Sequence, residues 1–142
     1  MKGTTIILLF SIFTFTNLFA QSKDETAIRT ILKTQTAAWN SGNIETFMQG
    51  YWQSDSLMFI GKSGITYGWQ KTLDNYKRNY PDTASMGKLD FVILEVKKLS
   101  AENYFVIGKW HLARSIGDLS GAFTLLFKKI KGKWFIISDH SS

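Results

Sequence analysis

Four consecutive polar residues, Asp139-His140-Ser141-Ser142, follow an apolar run and place a carboxylate, an imidazole and two hydroxyls side by side. Imidazole exchanges protons near neutral pH, which makes His140 the candidate acid/base group. Neighbouring strand residues face opposite sides, so this tetrapeptide cannot form a hydrolase triad by itself. The plain alternative is a histidine satisfied by hydrogen bonds at a strand end. Arg114 is the candidate anion-binding group, because a guanidinium grips a carboxylate through two parallel hydrogen bonds. Its alternative is a solvated strand terminus. Tyr51, Trp52, Trp69, Tyr76 and Trp110, with Trp39, are the rings available to line an aromatic pocket. Trp39 and Trp69 also lie on helical core stripes.

Other chemistries find little support. There is no cysteine and there are only two histidines, which excludes disulfides, thiolate catalysis and Cys-ligated metals. His111 and His140 lack metal-ligand spacing, so neither a metal nor a cofactor is expected. Gly61-Lys62-Ser63 is not a phosphate loop, because Ser56 stands where that motif needs glycine.

The elements that must position these residues fall into two blocks. Ser22-Lys23-Asp24-Glu25 has the pattern of a capping box. Ile28, Ile31, Leu32, Gln35 and Trp39 follow at helical spacing, and Asn40-Ser41-Gly42 ends the helix. Asn43 caps a shorter helix with the stripe Ile44, Phe47, Met48, Tyr51. A short hairpin turns at Gly61–Gly64, and a third helix runs from Trp69 to Tyr80, where Pro81 stops it. Then come four long strands, Leu89–Leu99, Tyr104–Arg114, Leu119–Ile130 and Lys133–Asp139, expected as an antiparallel meander. Helices first and a curled sheet second is an α+β arrangement. There is no internal repeat or interdomain linker.

Strand alternation assigns faces. Val106, Gly108, Trp110, Leu112 and Arg114 share one side, as do Trp134, Ile136, Ser138 and His140. These are expected to face inward, with Gly108 admitting a helix closely and Arg114 and His140 flanking a pocket mouth. His111, Asp139, Phe105, Ile107, Phe135 and Ile137 are then expected outside.

This order of elements resembles the nuclear transport factor 2-like superfamily, which includes SnoaL-like and ketosteroid-isomerase-like domains. The resemblance rests on Ala38–Asn43, Gly64–Gly68, and the ending from Gly132-Lys133-Trp134 to Asp139-His140-Ser141-Ser142. It is strongest to functionally unassigned exported members ending in Asp-His-Ser/Thr-Ser, and it covers essentially all of 21–142. It implies a cone-shaped curved antiparallel sheet, three N-terminal helices over its concave face, an interior pocket, and dimerisation through the convex face. Ketosteroid isomerases use a carboxylate base, a Tyr and a protonated Asp. The inward face of Tyr104–Arg114 carries no carboxylate, so that activity is not transferred.

Residues 1–20 have the layout of a secretory signal peptide: Lys2, the apolar run Ile6–Phe15, and Ala20 before Gln21. No stable membrane insertion is expected once it is cleaved. Localisation would be periplasmic or extracellular, where a nucleic-acid partner is not expected despite the net charge of +6. The function expected is binding of a small, partly apolar molecule, with an anionic head as one option. Two alternatives stand beside it: an isomerase, hydrolase or cyclase using His140, and a dimeric interaction domain with a filled interior.

Overall fold

A computed structural model describes residues 22–142, and the expected signal peptide lies outside them. Helix α1 spans Lys23–Asn40. Ser22 caps it, accepting from the Glu25 amide at 3.1 Å, while the Glu25 carboxylate accepts from Arg29 Nε one turn on. Its buried stripe is Ile28, Leu32, Gln35, Ala38 and Trp39, and the chain leaves through Gly42 at φ 78°. Asn43 caps α2, Ile44–Met48, by accepting from the Thr46 amide. Strands β1 (Met58–Gly61) and β2 (Gly64–Tyr67) form the short hairpin, and α3 covers Trp69–Asn79. A further turn, α4 (Thr83–Met86), precedes the sheet. It was not expected; Asp82 and Ser85 make a reciprocal capping box there, with Ser85 where the sequence signature of such a box has Glu or Gln. Among the described residues, no helix is long and apolar enough to cross a membrane.

Strands β3 (Lys88–Lys98), β4 (Asn103–Ala113), β5 (Leu119–Ile130) and β6 (Lys133–Ser141) follow. They form the expected antiparallel meander within a larger six-stranded sheet ordered β2-β1-β6-β5-β4-β3. The sheet is mixed rather than purely antiparallel, because β1 pairs parallel to β6. Backbone bonds from Trp52 to Ile136 and from Ile136 to Gly50 extend that contact and hold the segment after α2 against β6.

Two register shifts bend the sheet, one between Ile93 and Glu95 on β3 and one opposite Leu126 and Phe127. Each inserts a residue, which curls and twists the strand locally. The second decides the site. Phe127 pairs with Ile136 but Leu126 pairs with Ser138, leaving Ile137 as an extra residue on β6. An extra residue reverses the alternation beyond it.

The concave face carries the core. Tyr104, Val106 and Leu112 from β4, Phe123, Leu125 and Phe127 from β5, and Trp134 and Ile136 from β6 are buried against the helices. The inward assignment for β4 therefore holds from Val106 to Leu112. Gly108 is needed for a reason other than the one expected: a Cβ there would meet the Phe123 ring at 2.3 Å, not a helix. Among the described residues, no helix lies over the convex face. Phe105, Ile107, Phe135 and Ile137 are partly exposed, and Ile65, Tyr67, Val92 and Leu94 are more than half exposed.

Trp134 ties the two layers together. Its indole N–H donates to Asp24 Oδ1 at 2.9 Å, its ring meets Tyr104 edge-on, and Lys129 lies over its face. It is 6% exposed. Trp134→Ala should cost about 3–5 kcal/mol through cavity formation and the lost contacts, measured by urea unfolding. A cost under about 1 kcal/mol would show that α1 is anchored elsewhere.

Candidate functional site

Between the helices and the concave face lies a cavity of about 620 Å³, within the usual range for small-molecule sites. Its walls are mostly aromatic and aliphatic, with Gln35, Thr66, Thr72, Asn75, Asn79 and Ser120 among the polar groups. Asp139 is its buried carboxylate. Beyond the extra residue on β6, Asp139 pairs with Leu125 and with Phe59 of β1, and it shares their inner face. It is 4% exposed.

Both carboxylate oxygens accept hydrogen bonds. Tyr51 O–H donates to Oδ2 and Ser141 O–H to Oδ1, each at 2.7 Å. Burial pushes the Asp139 carboxyl up to about 6, against the opposing pull of these two bonds and of His140. Burial, and then the Asp139 charge, hold the Tyr51 phenol well above its ordinary value. The same two causes raise Tyr76. Both phenols therefore remain donors at neutral pH. No ion pair among the described residues involves Asp139.

The surrounding rings are fixed by their own partners. Trp39 N–H donates to Met86 O, and its ring meets Phe47, Tyr76 and Tyr80 edge-on. Gln35 Nε2 donates to Phe47 O inside the core, which fixes the start of the segment carrying Tyr51. Asn75 donates to Thr66 Oγ1, linking α3 to β2. Trp110 closes another side, and its N–H is the buried side-chain polar atom without a partner among the described residues. That indole lies over Gly121, where a Cβ would fall 2.9 Å from Nε1 and 1.7 Å from Ser142 O. A side chain at Gly121 would displace this wall.

The structure keeps some expected site residues and moves others. Tyr51, Tyr76 and Trp110 line the cavity. Trp52 and Trp69 do not. Trp69, at the start of α3, donates to Met48 O at the end of α2, while the Trp52 amide donates to Ile136 O beside the bridge at Tyr51. The expected orientations of Asp139 and His140 are reversed. His140 pairs with Ile60 and Thr124 and is exposed on the convex face, because Ile137 shifts the alternation. Arg114 lies beyond the end of β4, so alternation no longer directs it. Its Nε donates to Gly117 O and its terminal nitrogen to Ser85 O, clamping the β4–β5 turn to α4, and it does not line the cavity. His111 faces outward as expected, paired at 3.0 Å with Asp118. Among the described residues no three metal-ligating side chains converge.

Asp139, Ser141, Phe59, Tyr80, Phe91 and Phe123 were not among the expected site residues. Only the bulge hid Asp139, and nothing in the sequence marks a bulge at Ile137.

No protein-family model matches this sequence, and no curated protein does. Solved structures do. A nuclear transport factor 2-like protein of unknown function from Shewanella oneidensis MR-1 is 45% identical, with a TM-score of 0.81, over 84% of this chain and 98% of that one. A domain of unknown function with a cystatin-like fold from Nostoc punctiforme PCC 73102 is 16% identical, with a TM-score of 0.72, over 87% and 78%. A ketosteroid isomerase-like protein from Erwinia carotovora atroseptica SCRI1043 is 17% identical, with a TM-score of 0.66, over 85% and 96%. The last two share the fold alone. With the curved mixed sheet and the helices over its concave face, the first shows that this chain belongs to the nuclear transport factor 2-like family.

Proposed function

We propose that the protein binds a small, partly apolar molecule in the cavity, with Asp139 as the group that recognises its polar end. One observation carries this: a buried carboxylate with no cationic partner among the described residues faces an apolar cavity. Desolvating a charge costs free energy, and a group kept at that cost in a cleft is a functional-site candidate. The anion-binding pair expected at the mouth, Arg114 and His140, does not line the cavity, so an anionic head has no support from that side. For an acid/base enzyme, Asp139 is better placed than His140, because its carboxyl titrates at about 6 inside the cavity.

The cost of the carboxylate is measurable. Asp139 has a folded value of about 6 against an ordinary 3.8, so the folded state holds the proton more tightly. Stability from this source is complete below about pH 3.8 and is lost as pH rises through about 6. The span is worth roughly 3 kcal/mol at most. Asp139→Asn should flatten this slope and raise stability at neutral pH by roughly 1–3 kcal/mol, while removing any ligand-induced shift found in a thermal screen of small metabolites. A wild-type profile flat across this window would leave Asp139 an ordinary carboxyl and sink the binding reading.

The same domain is proposed to form a homodimer through its convex face. The partly exposed Phe105, Ile107, Phe135 and Ile137, continued by the more than half exposed Val92 and Leu94, form an apolar surface of the kind that marks interaction sites. Replacing Ile107 and Phe135 together by Lys should yield a folded monomer in light scattering. A wild-type monomer at micromolar concentration would end this proposal.

Export remains part of the reading, supported by the apolar run Ile6–Phe15. Mass spectrometry of protein from the native envelope or medium should find the first twenty or so residues removed. An intact Met1 on the dominant species would refute it.

A further inference from the structure

Resting on the cavity being a binding site, we infer that its ligand is an organic cation, with an ammonium group held between the Asp139 carboxylate and nearby aromatic faces. Charge is the first argument. The ionic groups in the lining are Asp139, deep in the wall, and Lys62, which is exposed at the β1–β2 turn. Lys62 stays in water, where its field is screened, so Asp139 sets the sign of the interior.

Asp139 also keeps aromatic company. Phe59 stands beside it on β1, and Tyr51 is bonded to it. Phe47 and Tyr76 complete a ring cluster: Phe47 lies 5.9 Å from Tyr51 and 5.3 Å from Tyr76, and Phe59 lies 5.7 Å from Tyr76. Aromatic faces carry partial negative charge and attract cations within about 6 Å. These rings line the same cavity as the carboxylate, so a cation there meets both a negative charge and aromatic surface.

A ligand acts on Asp139 as it arrives. It strips the remaining solvent from Asp139. Under a neutral ligand the carboxylate is left buried and unpaired, and it responds by taking up a proton. A cation offsets the lost solvation directly and leaves it ionised. The geometry allows this, because Tyr51 and Ser141 occupy one acceptor position on each oxygen and a carboxylate offers about four in all.

The ionisable groups around Asp139 are few. Tyr51 and Tyr76 face it from the α2 side and from α3, and His140 adjoins it on β6. Its neighbours on β1 and β5, Phe59 and Leu125, do not titrate, and neither do the α1 residues in the lining, Leu32, Gln35 and Trp39. The phenols stay protonated at neutral pH. A change in cation affinity near pH 6 therefore reports Asp139, and separate substitutions at Asp139 and at its neighbour His140 check the assignment.

The test is calorimetric titration with benzyltrimethylammonium, whose charge does not depend on pH, and with its neutral carbon isostere neopentylbenzene. Well above pH 6, the purified protein should bind the ammonium at least roughly tenfold more tightly than the isostere. That preference should collapse well below pH 6 and in Asp139→Asn at any pH, and it should survive in His140→Ala. Phe59→Leu should weaken the ammonium more than the isostere, which keeps the ring contribution testable if the Asn variant folds poorly. Equal binding of both probes, or tighter isostere binding that strengthens as pH falls, overturns the cation and leaves the cavity a binding site. Binding of neither probe removes both readings.

Discussion

Asp139 reaches the interior because β6 carries one residue more than β5 where Ile136 gives way to Ser138. Without Ile137 as an extra residue, the alternation that buries Trp134 and Ile136 would turn His140 inward and Asp139 out to solvent. The bulge therefore decides which ionisable group the cavity contains. It also bends the strand, and the same stretch is where β1 and the Tyr51 segment add on parallel to β6. Pocket shape, pocket charge and the mixed topology share this one local feature.

Once inside, the carboxylate constrains its neighbours. Tyr51 must present its hydroxyl at 2.7 Å, and Tyr51 is placed by the bonds that Gly50 and Trp52 make with Ile136. Gln35 on α1 bonds Phe47 O and packs so closely that a Cβ on Gly50 would meet it at 2.8 Å. The helical layer thus reaches Asp139 through a short chain of directional contacts, not through apolar packing alone. Such a network is costly when incomplete, yet here it leaves a charge without a counter-charge. Proteins commonly retain destabilising groups at sites where function needs them.

Much of the architecture was legible in the sequence. The Ser22 cap, the α1 stripe, the stop at Pro81 and the four long strands follow from spacing and turn chemistry, and the structure reproduces them. The inward phase of β4 was also readable, because no bulge in that strand interrupts Val106–Leu112. What escaped were effects of pairing. Alternation is a local rule, whereas a bulge arises between two strands, so a count along β6 alone put His140 in the wrong place. Arg114 misled for a related reason: alternation was carried one residue past Ala113, where the strand ends. Trp52 and Trp69 were right in residue type for a pocket, but tertiary packing committed the Trp69 N–H to Met48 O.

Asp139 is buried, ionisable and in no ion pair among the described residues. Carbon-13 NMR can follow the Asp139 carboxyl through a pH titration, assigned by comparison with Asp139→Asn. The expected midpoint is about 6, set by burial and restrained by the Tyr51 and Ser141 bonds. A midpoint at or below the ordinary 3.8 would mean a solvated or cation-paired carboxylate, and would contradict the inward placement on which the site is built.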